Sequence, residues 1–221
     1  MSPREIFALR DYLDPGLTGR TLSDARHAAS LTDISDQTCL KDRLAELSGR
    51  SVLLAVSSQF LAALIMIEID GIARRMLLCP PDLNTEHLQA LIEDAEIDAV
   101  VTDQPDRFAG PGIALVVTAG TELKAAPRAQ TARATEWLML TSGTLGLPKI
   151  VGHTLEGLTG AIAADGPARG TRPVWATFYD IRRYGGLQIY LRAVLSGSPL
   201  VLSSAGEPPV AFMERDRKSV V

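Results

Sequence analysis

Cysteine is scarce in this chain: only Cys39 and Cys79 occur, too far apart for the Cys-x-x-Cys spacing of a zinc site or for a disulfide framework. Reduced thiols and a cytoplasmic setting are the expectation. Histidine is limited to His27, His87 and His153, no two of them at metal-ligand spacing, so no metal site is expected from them. Basic residues do not outnumber acidic ones, and the net charge of −4 argues against a nucleic-acid binder, which carries a basic patch or stripe. Also missing is an apolar run of the ~20 residues that a membrane span needs. The most apolar stretch, 52–67, is broken by Ser57-Ser58-Gln59 and followed by Glu68 and Asp70, and it reads as a buried strand plus a buried helix. The first sixteen residues, MSPREIFALRDYLDPG, have early charges and no continuous apolar core, which excludes a secretory signal there.

What is present is ample apolar material. With 46% hydrophobic residues in 221, one large domain or two small ones can be built. No internal repeat is evident. Residues 1 to about 35 carry turn signals and scattered charge, with a short helix predicted near 23–29. Leu40, Leu44 and Leu47 recur at helical spacing and predict a helix over 38–47, stopped by Ser48-Gly49. Then a rhythm sets in: strand 52–56, helix 59–70, strand 75–79, helix 85–95 with Asn84 or Thr85 as cap, and strands 98–102 and 113–117. Short uninterrupted apolar strands alternating with helices predict an α/β fold, with mostly parallel sheets flanked by helices. Residues 119–135 have no period and read as an exposed connection into a strand at Trp137. Beyond it come a helix starting near Leu155, a strand over 174–179, a helix whose apolar face ends at Gly197, a strand over 199–203 and the start of an amphipathic helix over 208–217.

The chain is organised around 138–154, LMLTSGTLGLPKIVGHT. An apolar strand leads at once into Thr141, Ser142, Gly143, Thr144 and Gly146, with Lys149 at the far end. Glycines let backbone N–H groups approach an anion, hydroxyls add donors and the lysine adds charge, which is the chemistry of a phosphate cradle; an ordinary turn has the same composition. A Walker loop is excluded, because Gly-Lys-[Ser/Thr] is replaced by Pro148-Lys149-Ile150.

As an ordered string, Thr141-Ser142-Gly143-Thr144-Leu145-Gly146-Leu147-Pro148-Lys149, followed by His153-Thr154, resembles the phosphate-loop signature of the adenylate-forming superfamily, which includes acyl-CoA synthetases, luciferases and peptide-synthetase adenylation domains. The signature usually reads (T/S)SG(T/S)TGxPK, and Leu145 departs from it by removing a hydroxyl. The segment 178–202, FYDIRRYGGLQIYLRAVLSGSPLVL, looks like the family's stretch in which an aromatic residue or histidine precedes a glycine-led helix; Arg183 or Tyr184 stands at that position, which borders the acyl pocket.

The resemblance implies attack of a carboxylic acid on the α-phosphorus of ATP with Mg2+, giving an acyl-adenylate and pyrophosphate. Transfer of the acyl group to CoA or a carrier protein follows, as in the acyl-CoA synthetases of fatty acid metabolism. Thr141, Ser142, Gly143, Thr144, Gly146 and Lys149 would hold the ATP phosphates, Arg183 or Tyr184 would line the substrate pocket, and no catalytic residue is assigned. Family members are longer, and their Tyr-Gly-x-Thr-Glu and Thr-Gly-Asp segments do not occur here. The expectation is therefore that residues 1–221 are a partial N-terminal AMP-binding domain, the sheet short of strands and the C-terminal lid domain absent, as in a split or broken gene. The alternative is a catalytically inert fragment or a partner-binding remnant of such an enzyme. Elsewhere, His153 reads as structural or as a base, Ser142 lacks the G-x-S-x-G context of a nucleophile, and Arg182-Arg183 reads as a solvated pair or an anion contact.

Overall fold

The structure is a computed structural model that describes residues 8–13, 20–34, 36–108, 112–127, 129–131, 133–141, 148–163 and 173–219. The described chain enters through a 3-10 turn at Leu9–Tyr12 and then forms a hairpin of β1 (Thr21–Ser23) and β2 (Ala28–Ser30), where the sequence predicts a short helix. Two effects override that expectation. The Asp24 carboxylate accepts the N–H groups of Arg26 (2.8 Å) and His27 (2.7 Å) and closes a turn, and β1 gains a strand partner on each side.

After α1 (Leu31–Ile34) and β3 (Gln37–Thr38), the helix predicted over 38–47 shrinks to a 3-10 turn at Leu44–Leu47. Lys41 and Asp42 sit at φ of 52° and 65°, and two left-handed residues in a row end any right-handed helix. Leu40 and Leu47 are nevertheless buried, as their spacing demands.

The next elements fall within a few residues of their predicted bounds: β4 (Ser51–Ala55), α2 (Gln59–Ile69), β5 (Arg75–Leu78), a 3-10 turn at Thr85–His87 running into α3 (Leu88–Asp94), β6 (Ala99–Thr102) and β7 (Leu115–Thr118). Asn84 caps the 3-10 turn at Thr85–His87, its side chain accepting the Glu86 N–H at 3.1 Å. The stretch read as a bare connection holds β8 (Lys124–Ala125), paired with β3, and a buried Thr135 whose hydroxyl joins Gly71 to Ala73. Then come β9 (Glu136–Thr141), β10 (Lys149–His153), α4 (Leu155–Ala163), β11 (Trp175–Thr177), α5 (Tyr184–Ser196), β12 (Leu200–Leu202) and α6 (Pro209–Ser219). Gly197 ends α5 with φ 63°, a left-handed cap that glycine adopts without strain.

A six-stranded sheet runs β10-β9-β5-β4-β6-β7, parallel except for β10. A four-stranded sheet runs β11-β12-β1-β2, antiparallel only at β2. The fold is thus α/β with mostly parallel sheets, as the sequence predicts. Alternate residues of the larger sheet enter two cores: Val52, Leu54, Met76, Val101 and Trp137 on one face, Leu53, Leu77, Val100 and Leu138 on the other, with Leu91 and Ile92 of α3. Burial of both faces is why these strands carry unbroken apolar runs.

Helix α2 is apolar all round from Phe60 to Ile67 because it is buried all round. Ser58 caps it through the Leu61 N–H, and Tyr190 of α5 donates its hydroxyl to the Ala63 carbonyl at 2.9 Å. Tyr190→Phe should therefore cost about 0.5–1.5 kcal/mol, the net value of a neutral hydrogen bond, read as a lower urea midpoint with unchanged slope.

Candidate functional site

Because β4, β5, β6, β7 and β9 run parallel, their C-terminal ends share one edge of the sheet, the edge at which open α/β sheets place ligands. Thr141 ends β9 there and Lys149 begins the antiparallel β10, and the two are direct partners across the ladder. The Thr141 hydroxyl donates to the Lys149 carbonyl at 3.4 Å, and both residues are exposed. The hairpin therefore brings a hydroxyl and an ammonium to the two ends of one connection. β10 is a strand that the sequence did not announce. Ser142, Gly143, Thr144, Leu145 and Gly146 lie outside the described residues.

On the same edge, the segment 178–184 connects β11 to α5. Arg182 is only 1% exposed, which corrects its reading as half of a solvated pair. Its guanidinium forks onto the Asp180 carboxylate (Nε to Oδ1 2.8 Å, Nη2 to Oδ2 2.7 Å), and Nη1 donates to the Val56 carbonyl just past β4. This clamp ties the start of α5 to the end of the central strand. Arg183, in contrast, is exposed and donates through Nη2 to both oxygens of Asp82 at 2.8 Å; in water such a pair contributes at most about 1 kcal/mol. Tyr184 opens α5 with 58% of its surface exposed and lies 6.2 Å, centroid to centroid, from the ring of His153 on β10. The structure thus sets Tyr184 beside the hairpin and turns Arg183 toward Asp82.

Two further aromatics on this edge, Phe178 and Tyr179, are 41% and 71% exposed and were not singled out as site residues from the sequence. The helix start fits tightly: a Cβ on Gly186 would stand 2.3 Å from the Asp180 carbonyl oxygen, so no larger residue is accommodated. Cys79 also lies at this edge, but burial pushes its thiol up to about 11, against the opposing pull of Arg182 and Arg107, so it is no nucleophile at neutral pH. Among the described residues no three His, Cys, Asp or Glu side chains stand close enough together to hold a metal ion, and both cysteines are free. Among them, too, no helix is long and apolar enough to cross a membrane.

The arrangement of sheets, hairpin and glycine-led helix is the fold of the N-terminal portion of adenylate-forming enzymes. The N-terminal subdomain of NpsA from Klebsiella oxytoca superposes with a TM-score of 0.70 at 17% identity, covering 96% of this chain and 58% of that one. The same subdomain in complex with 3-hydroxybenzoyl-AMSN gives 0.71 at 16% identity, over 96% of this chain and 57% of that one. O-succinylbenzoate Coenzyme A synthetase (MenE) from Bacillus subtilis, in complex with ATP and magnesium ion, gives 0.70 at 16% identity, over 96% of this chain and 60% of that one. The chain therefore spans 58% of the NpsA subdomain's length. No protein-family model matches the chain, and no curated protein matches it by sequence.

Proposed function

We propose that this chain is the phosphate-loop portion of an enzyme that activates a carboxylic acid with ATP, forming an acyl-adenylate and pyrophosphate, before transfer of the acyl group to CoA or a carrier protein. The observation that carries the reading is the register of Thr141 opposite Lys149 at the C-terminal strand edge, around the string that resembles the adenylate-forming signature. Support comes from the neighbours in fold, one solved with ATP and magnesium and one with an acyl-adenylate intermediate.

In this reading Lys149 places its ammonium against the β- and γ-phosphates, and the Thr141 hydroxyl and the backbone of residues 142–146 add donors. Such fixed charge stabilises the departing pyrophosphate without reorganisation. Tyr184 and His153 border the acid beside the hairpin. The Arg182–Asp180 clamp keeps Tyr184 in position and touches no substrate. The share of NpsA that is spanned supports the view that the chain is one part of the AMP-binding domain, with the remaining nucleotide contacts supplied by further sequence or by a separate chain.

Titration with ATP and with pyrophosphate tests this. A charged donor contributes about 1.5–3 kcal/mol, so Lys149→Ala should weaken both by roughly 10- to 150-fold, while Leu145→Thr, which restores one neutral donor, should gain at most about tenfold. Lys149 is exposed on an edge strand, so its loss leaves the core intact. If the wild-type chain binds ATP and Lys149→Ala binds it equally well, the phosphate cradle is elsewhere or absent. If neither binds, the inert remnant is the better description.

A further inference from the structure

Away from the hairpin lies a cavity of about 440 Å³, within the range of small-molecule sites. It opens beside the last turn of α2. The first residue of that helix, Gln59, holds Ser203 and Ile181 near the strand edge described above, and eleven helical residues separate the two places by about 15 Å.

The walls are mainly apolar, from Ile34, Leu44, Ile67 and Ile72, and two buried charged groups are set into them, Arg10 and Glu68, the latter 8% exposed. Its Oε1 accepts the Thr38 hydroxyl, and its Oε2 accepts the Cys39 N–H (2.9 Å) and thiol (3.1 Å). An ionised carboxylate offers about four acceptor positions, so three donors leave capacity toward the cavity. Burial raises the Glu68 pKa, against the opposing pull of the Thr38 and Cys39 donors and of the Arg10 charge.

Arg10 also reaches the cavity, but its guanidinium is turned to the backbone, onto the carbonyls of Ala129 (3.1 Å), Ile67 and Glu68. A second carboxylate, Asp42, and the side-chain amides of Gln37 and Gln130 complete the polar rim. An anionic ligand would face two carboxylates against the single guanidinium of Arg10, which is already engaged with backbone carbonyls. A hydrated metal ion would face hydrocarbon. A primary ammonium with three N–H donors and an apolar tail matches both halves of the wall.

We propose that this cavity binds a small primary ammonium compound with an apolar body, its cation on Glu68 and its body against Ile34, Leu44, Ile67 and Ile72. The proposal is independent of the ATP reading. The test is calorimetric titration of the purified chain with 4-phenylbutylamine, 4-phenylbutanol and 4-phenylbutyrate, three bodies of one shape with different heads.

The amine should bind about tenfold or more tighter than the alcohol, the margin of a charge-assisted over a neutral hydrogen bond. Glu68→Gln should abolish that margin. Because Gln would set an amide against the Cys39 N–H and disturb the fold, a second variant is needed: Ala45→Trp, on the exposed 3-10 turn at the rim, should fill the opening and remove amine binding with an unchanged melting temperature. Butyrate that binds as tightly as the amine and is lost in Ala45→Trp would overturn the proposal. Equal affinity for amine and alcohol, amine binding that persists in Ala45→Trp, or no saturable amine binding in the millimolar range would each overturn the proposal.

Discussion

Asp70→Ala should destabilise the fold by about 2–6 kcal/mol, the cost of leaving two buried N–H donors unpaired at roughly 1–3 kcal/mol each. Asp70 is 0% exposed, and its two oxygens accept from different parts of the chain: Oδ2 from the Leu9 N–H at 2.8 Å and Oδ1 from the indole of Trp137 at 3.0 Å. One carboxylate thereby fastens the entering 3-10 turn and β9, the strand that leads into the β9–β10 hairpin. Burial pushes its pKa from 3.8 up to about 7, although the Leu9 and Trp137 donors and the charge of Arg10 pull the other way.

The direction of the pH effect follows. Between about pH 4 and 7 the folded state holds a proton that the unfolded state has released, so this contribution to stability is complete below 3.8 and is lost as pH rises to about 7. The full displacement corresponds to about 4 kcal/mol at ~1.36 kcal/mol per pH unit. Asp70→Asn, which cannot titrate, isolates the group: in urea melts at several pH values, wild type should lose stability relative to Asn as pH rises from 4 to 7. A difference that stays flat across that window would show that the carboxylate is ionised throughout.

The second large effect is expected at Arg182. Arg182→Met removes a buried guanidinium and leaves the Asp180 carboxylate, 19% exposed, with the backbone N–H of residue 182 but no cation, and the Val56 carbonyl without its donor, for about 3–5 kcal/mol. Part of that is the penalty of a stranded charge, not the worth of the pair. The double variant Asp180→Asn/Arg182→Met should accordingly recover a share of the loss, and a double-mutant cycle by chemical denaturation measures it. Arg182→Lys should not rescue fully, since one ammonium cannot span both carboxylate oxygens and a carbonyl as the planar fork does. An Arg182→Met variant as stable as wild type would mean that the segment 180–183 is held by the packing of Gly186 and Ile181 alone.

Local pattern made much of this protein legible. Apolar runs such as 52–56 and 99–102 encode strands covered on both faces, and the unbroken apolarity of 60–67 encodes a helix with no solvent side; such burial is written into consecutive residues. The Asn84 cap and the Gly197 stop act within one turn of chain and were equally readable. The resemblance carried by the string 141–149 could be seen because it lies in consecutive residues.

Residues whose meaning depends on a distant partner could not be read this way. The segment 21–30 carries no strong strand pattern and becomes a hairpin because β12, some 180 residues later, offers β1 an edge. β10 has little burial of its own and exists through its ladder with β9. Arg182 and Arg183 are adjacent and chemically identical, yet one is sealed in the interior and the other lies in water. The difference is that Asp180 and the free carbonyl of Val56 meet the first, while the second faces the open loop at Asp82. Hydrophobic periodicity is a property of neighbouring residues and survives in the sequence, whereas charge burial is decided by compensation across the fold, which only the assembled tertiary structure supplies.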